Sequence, residues 1–171
     1  MSSSFIEGTM LEMTWVEIDE HAKKDAIVIF PAAVVEEHGP HMTVATDIIF
    51  SYVMAREAQK LFAKKGVDSI IAPPFYWGIN GTTKDMPGSF NVSNETCTAM
   101  LVDIFMSLKK WGFRKILAIP GHGENDHLRC IDKALGIVYE RTGPGGYVIM
   151  TSLFAQKAGI QPSNQSFWIP D

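Results

Sequence analysis

Glu36-Glu37-His38-Gly39-Pro40-His41, with Asp47 close behind, gathers carboxylates and imidazoles into twelve residues that follow an apolar run. Carboxylate oxygen and imidazole nitrogen are the ligands that suit Zn²⁺ and also Mn²⁺. Glu36 and His38 stand two apart, so on an extended backbone their side chains leave on the same side, and Glu37 between them points away. A second stretch, Gly121-His122-Gly123-Glu124-Asn125, follows another apolar run and reverses the order of His and Glu. The chain has five histidines, and four of them, His38, His41, His122 and His127, lie in or beside these stretches, which scatter rarely produces. A lone histidine is better read as a hydrogen-bonded loop or core residue. Five ligand-type side chains together, Glu36, His38, Asp47, His122 and Glu124, read as a metal centre.

Those five are too many for one tetrahedral structural zinc. They suit two divalent ions about 3.5–4 Å apart, with Asp47 as the bridging carboxylate and water in the open positions. Gly39, Gly121 and Gly123 permit sharp turns and close backbone approach beside the histidines. His41, Asn125, Asp126 and His127 are candidates to orient the imidazoles or to touch substrate. Tyr76, Trp77, Phe90, Phe154, Phe167 and Trp168 are aromatic candidates for a pocket lining, and Ser89 in Pro87-Gly88-Ser89 reads first as a turn residue.

Residues this far apart meet only if the fold brings them together. Ala26 to Phe30, Ser69 to Ala72, Lys115 to Ile119 and Tyr147 to Thr151 are short apolar runs without alternation, as expected of strands buried on both faces. Helical periodicity fills the gaps. It runs from about Ile48 to Lys65, with Phe50, Val53, Met54, Ala58 and Leu61 on one face. It returns from Ser93 or Asn94, as cap, to about Trp111, with Met100, Leu101, Ile104, Phe105 and Leu108 inward, and again from Asp126 to Arg141. The alternation predicts a parallel sheet covered by helices. In such sheets ligands bind beyond the carboxyl ends of the strands, where both ligand stretches begin.

The 171 residues suit one domain, 1–171, with one core. Net charge is −4 and no basic run exceeds two lysines, which disfavours nucleic acid as a partner. No apolar run approaches the roughly 20 residues of a membrane helix, and residues 1–7 lack the pattern of a signal peptide, so a cytoplasmic protein with no membrane partner is expected. Cys97 and Cys130 have no ligand spacing and are read as reduced packing residues. Nucleophile-elbow, phosphate-loop and dinucleotide motifs are missing from the sequence.

Residues 36 to 47 resemble the E-x-H-G-P-H-L-P-L-x-T-D signature of the creatininase family, the creatinine amidohydrolases and their relatives. Pro87-Gly88-Ser89 is similar to that family's F-P-G-T turn, and Trp111 to Asn125 to its G-F-[RK]-x strand leading into N-G-H-G-x-N. Order and spacing hold from about residue 10 to about residue 150. The resemblance implies a three-layer α/β fold, a mostly parallel sheet with helices on both faces. It also implies a binuclear centre of zinc, or of manganese, that hydrolyses a C–N bond in a cyclic or linear amide. Carried over by position, Glu36, His38, Asp47, His122 and Glu124 are its metal ligands, His122 and Glu124 its catalytic residues, and a small-molecule amide its substrate. A homo-oligomer, a hexamer in relatives, is a further implication.

The sequence departs from the pattern at three places. Pro120 replaces an Asn, and Asp85-Met86 stands where relatives carry His-Phe. The chain ends at Asp171, before the family's H-x-G-x-x-E-T-S segment, so a shortened homologue is expected. An alternative follows from that: a catalytically silent form that binds metal or a metabolite, or serves as an assembly subunit.

Overall fold

Ile27–Ala32, Ser69–Ile71, Lys115–Pro120 and Gly146–Ile149 form four strands, β1 to β4. The structure, a computed structural model of the chain, describes residues 6–149. Met150 and Thr151, expected in the fourth strand, lie outside the described residues, as do Phe154, Phe167 and Trp168. The strands pair in parallel in the order β2-β1-β3-β4. Ile27 stands opposite Ser69 on one side and Lys115 on the other, and Lys115 opposite Gly146.

β1 is buried on both faces, as its unbroken apolar run requires. Val28, Phe30 and Ala32 share a core with Leu101 and Phe105 of α3 (Asn94–Lys110) and with Ile131, Ala134 and Val138 of α4 (Asn125–Thr142). The Phe30 ring meets Phe105 edge-on at 4.9 Å between centroids, a favoured aromatic geometry. Ile29 looks the other way, joining Ile71 and Ile119 against Ala55 and Phe62 of α2 (Thr46–Lys64). Helices therefore cover both faces of a parallel sheet, the expected three-layer α/β architecture. Ser93 caps α3 by accepting from the Thr96 amide, and among the described residues no helix is long and apolar enough to cross a membrane. Cys97 and Cys130 are free and buried; burial, with Cys130 alongside, pushes the Cys97 thiol up to about 12.

Three details differ from the sequence reading. Ahead of β1, where no element is expected, lie a short 3₁₀ turn at Met10–Glu12 and a helix, α1 (Trp15–Lys23), whose start is a capping box of Thr14 and Glu17. Second, α2 turns a different face inward: Ile48, Ser51, Tyr52 and Ala55 are buried, whereas Phe50, Val53, Met54 and Leu61 are exposed. At Ser51, where the helix passes the end of β3, the inner face is small because the backbones lie close together. A Cβ on Gly121 would stand 2.2 Å from the Asp47 carbonyl oxygen and 2.9 Å from Ser51 Cβ. Third, Met100 is exposed beside the buried Leu101, Phe105 and Leu108, since α3 points its Leu101 side at sheet and α4 together and leaves Met100 on its flank.

At the amino ends of the strands Asp25 takes a left-handed φ of 58°. Its carboxylate accepts from Arg114 Nε at 3.0 Å and Lys115 Nζ at 2.6 Å, tying the start of β1 to the start of β3. The Arg114 hydrogen bond, then that of Lys115, holds this carboxyl down to about 2.

Gly121→Ala forces backbone apart at the α2–β3 contact and should cost about 1–3 kcal/mol, several degrees of melting temperature. Gly123→Ala meets nothing within 4 Å and should melt like the parent; equal losses in the two variants would refute the contact argument. For Asp25→Asn the folded pKa lies below the ordinary 3.8, so the lost stabilisation is complete above that pH and fades as pH falls toward about 2. Thermal melts from pH 6 to pH 2 should show the two proteins converging at the acid end; a gap that does not change with pH would rule this out.

Candidate metal centre

The chain leaves β1 on the carboxyl side of the sheet and makes a loop whose return is pinned by the Glu36 amide donating to the Val44 carbonyl at 3.2 Å. Gly39 turns it with a φ of 75°, and the Glu37 carboxylate folds onto this turn, accepting from the Gly39 amide at 2.9 Å. Glu37 thus points away from its neighbours, as expected of the residue between two convergent ones. The loop feeds α2, whose first turn carries Asp47. The positive end of the helix favours a carboxylate at that position.

Asp47 is buried and lies between two histidines. Its Oδ1 is 3.1 Å from His38 Nε2, and its Oδ2 is 2.9 Å from His122 Nδ1. Glu36 Oε2 approaches the same His122 nitrogen at 3.1 Å. Ligand atoms of Glu36, His38 and Asp47 all lie within 4.8 Å of one another. The two sequence stretches therefore meet, and one carboxylate offers a separate oxygen to each of two imidazoles.

The other nitrogen of each ring is committed to the backbone. His38 Nδ1 is 3.1 Å from the Glu36 carbonyl, and His122 Nε2 is 3.0 Å from the Ile79 carbonyl. A carbonyl only accepts, so each of those nitrogens carries a proton, and the opposite nitrogen of a neutral ring presents a lone pair to carboxylate oxygen. Two lone pairs about 3 Å apart repel; the contact becomes attractive only with a proton or a metal cation between them. For His122, burial works against the charged form, but the Asp47 hydrogen bond and the charges of Glu36 and Asp47 outweigh it, and its pKa is raised. The donor set thus calls for positive charge, and its oxygens and nitrogens are those that Zn²⁺ and Mn²⁺ accept.

Glu124 stands apart from this group. Its carboxylate accepts from the Gly81 amide at 3.0 and 2.8 Å, and its Oε2 is 3.7 Å from His122 Nε2. Gly81 must lack a side chain for this, since a Cβ would stand 2.6 Å from Glu124 Oε1. Of the outer candidates, His41 and Asn125 are exposed, and Asp126 pairs with Arg129 along α4 at 3.0 Å. His127 is fully buried with its ring edge-on to His122 at 5.5 Å. Gly78 makes room for it, because a Cβ there would lie 2.4 Å from His127 Nδ1. Burial, then the charge of His122, lowers the His127 pKa to about 4, and neither ring nitrogen meets a hydrogen-bond partner among the described residues.

Sequence reasoning misses three contributors. The Ile79 carbonyl and the Gly81 amide are backbone groups and leave no mark in residue type. Thr83, whose hydroxyl donates to Glu36 Oε1 at 2.7 Å, lies in the long loop after β2; loop length is the one signal that points there.

The creatinine amidohydrolase of Pseudomonas putida is 28% identical to this chain over 132 residues, 73% of this chain and 47% of that protein. The mycofactocin precursor peptide peptidase of Mycolicibacterium smegmatis is 31% identical over 100 residues, 58% of this chain and 40% of that protein. The chain thus spans less than half the length of these curated relatives. A solved creatininase in its Mn form superposes with a TM-score of 0.74 at 17% identity, covering 92% of this chain and 66% of that one. The family model for creatinine amidohydrolase matches residues 11–166, and the chain belongs to the creatininase family.

Proposed function

We propose that Glu36, His38, Asp47 and His122 hold two divalent cations, Zn²⁺ in first place and Mn²⁺ in second, and that the site hydrolyses a C–N bond in a cyclic or linear amide. The observation that carries this reading is Asp47, which gives Oδ1 to one imidazole and Oδ2 to the other while a backbone carbonyl fixes the far nitrogen of each ring. Rings held in this way each keep one lone pair aimed at a different oxygen of Asp47, and a carboxylate facing both can span two ions. The name of the Pseudomonas putida relative points to a small cyclic amide, and that of the Mycolicibacterium smegmatis relative to a peptide bond. Both are acyl–nitrogen bonds.

When bound, the cations would acidify water and polarise the scissile carbonyl. The chain's own groups supply the rest. The Glu36 and Ile79 carbonyls fix the His38 and His122 rings, Asp47 holds the two halves of the site at one separation, and Glu36 closes the His122 half. Glu124, beside His122 Nε2 and accepting from the Gly81 amide, would pass a proton to the leaving nitrogen.

Metal analysis of the protein after equilibration with Zn²⁺ should give about two ions per chain. Asp47→Ala should lose both and His38→Ala only one; Asp47→Ala with full metal content would sink the bridge. With metal restored, a panel of lactams, linear amides and short peptides should show turnover of at least one class, and no turnover of any would reject the hydrolase. Glu124→Gln should cut kcat by about 10²–10⁴-fold with metal content unchanged, the loss expected for a proton-transfer group.

A further inference from the structure

The loop joining β2 to α3 carries a chain of hydrogen bonds that runs into Glu36. The Glu37 amide donates to Ser89 Oγ at 3.1 Å, the Ser89 hydroxyl to Thr83 Oγ1 at 3.1 Å, and the Thr83 hydroxyl to Glu36 Oε1 at 2.7 Å. An amide only donates and an ionised carboxylate only accepts, so the two hydroxyls between them have no choice of direction. Every proton in the chain points toward Glu36. The series also closes on itself, because its first and last groups belong to adjacent residues.

Neither hydroxyl is needed to shape the loop. The Met86 amide donates to the Thr83 carbonyl and the Ser89 amide to the Met86 carbonyl, which makes two successive turns from backbone alone. The base of the loop is fastened separately: the Phe90 amide and Asn80 Nδ2 both donate to the Val35 carbonyl, and Asn80 Nδ2 also donates to the Phe90 carbonyl. With the backbone accounted for, the hydroxyls have Glu36 as their outlet.

We infer that Thr83 and Ser89 are positioning residues that commit Glu36 to bind a cation through Oε2 alone. The Thr83 hydrogen bond occupies Oε1, and the remaining oxygen is the one that faces His122 Nδ1 at 3.1 Å. A carboxylate free to rotate could chelate one ion through both oxygens or leave it; a carboxylate with one oxygen tied down offers one ligand atom in a fixed direction. Hydrogen bonds to the far atom of a ligand contribute about 10–100-fold to metal affinity, and polarised hydroxyls in series strengthen one another. The inference rests on Glu36 being a cation ligand.

Zn²⁺ affinity, measured by competition with a chromophoric chelator, tests it together with the melting temperature of the metal-free protein. Thr83→Val, which keeps shape and removes the hydroxyl, should weaken Zn²⁺ binding by about 10–100-fold with an unchanged metal-free melt. Thr83→Ser should bind as the parent does, and Ser89→Ala should lose less than Thr83→Val. Parent-like affinity in Thr83→Val, or equal losses in Thr83→Val and Thr83→Ser, overturns the relay. So does a metal-free melt that falls in step with affinity. Should Thr83→Val not fold, Ser89→Ala decides alone, and parent-like affinity there rejects the relay. A parent protein that binds no Zn²⁺ overturns the metal reading itself and the relay with it; one that binds Zn²⁺ beside indifferent variants overturns the relay only.

Discussion

The first turn of α2 meets the end of β3 across a glycine, and that approach decides whether Asp47 and His122 touch at all. The Asp47 carbonyl occupies the place that a Cβ on residue 121 would need, so backbone sets the distance between helix and sheet here. Ser51 and Ala55, further along the same inner face, keep the gap narrow. A larger pair would lift the helix and carry Asp47 away from the strand end. The helix turns Ile48, Ser51, Tyr52 and Ala55 inward and sends Val53, Met54 and Leu61 outward.

With that distance fixed, the electrostatics follow. Glu36 and Asp47 bring negative charge to a partly buried place, which costs free energy unless it is compensated. Part of the compensation is structural, because the amino end of α2 lies under Asp47. The rest is left to whatever lies between carboxylate and imidazole. Locking His38 to the Glu36 carbonyl and His122 to the Ile79 carbonyl means that neither ring can escape by flipping, so the site keeps its demand for cationic charge. His127 behaves in the opposite way: its burial holds it neutral beside His122, and it adds no competing charge behind the cluster.

Burial on both faces shows in a sequence as unbroken runs of Ile, Val, Leu and Ala, which is why the strands and the three long helices between them are legible from residue order alone. α1 is harder to read by the same route, because it is only nine residues long and only Ala22 within it is buried. The capping box of Thr14 and Glu17 is the signal that marks it. In α2 the large apolar residues mislead, since burial there is decided by a steric limit 70 positions away, between Ser51 and Gly121. The convergent ligands are legible from residue type plus the rule that parallel strands bring their carboxyl ends together. What lies around them is not. A backbone carbonyl at Ile79 has no residue signature, the Thr83 hydroxyl is 47 positions from the carboxylate it serves, and nothing in a His-Gly-Glu string tells that Glu124 turns to an amide.

The pairing of β1 with β3 has a kinetic side. Ile27 and Lys115 are neighbours in the sheet yet 88 residues apart in the chain, and closing so long a loop must come before the contacts that reward it. β1 can zip to β2 sooner, through Ile27 and Ser69, but that pairing holds none of His122. His122 therefore joins Glu36, His38 and Asp47 only once that long loop has closed. A cation held by all four residues would favour the closed molecule over any form in which that loop is open, and would slow unfolding more than it speeds folding.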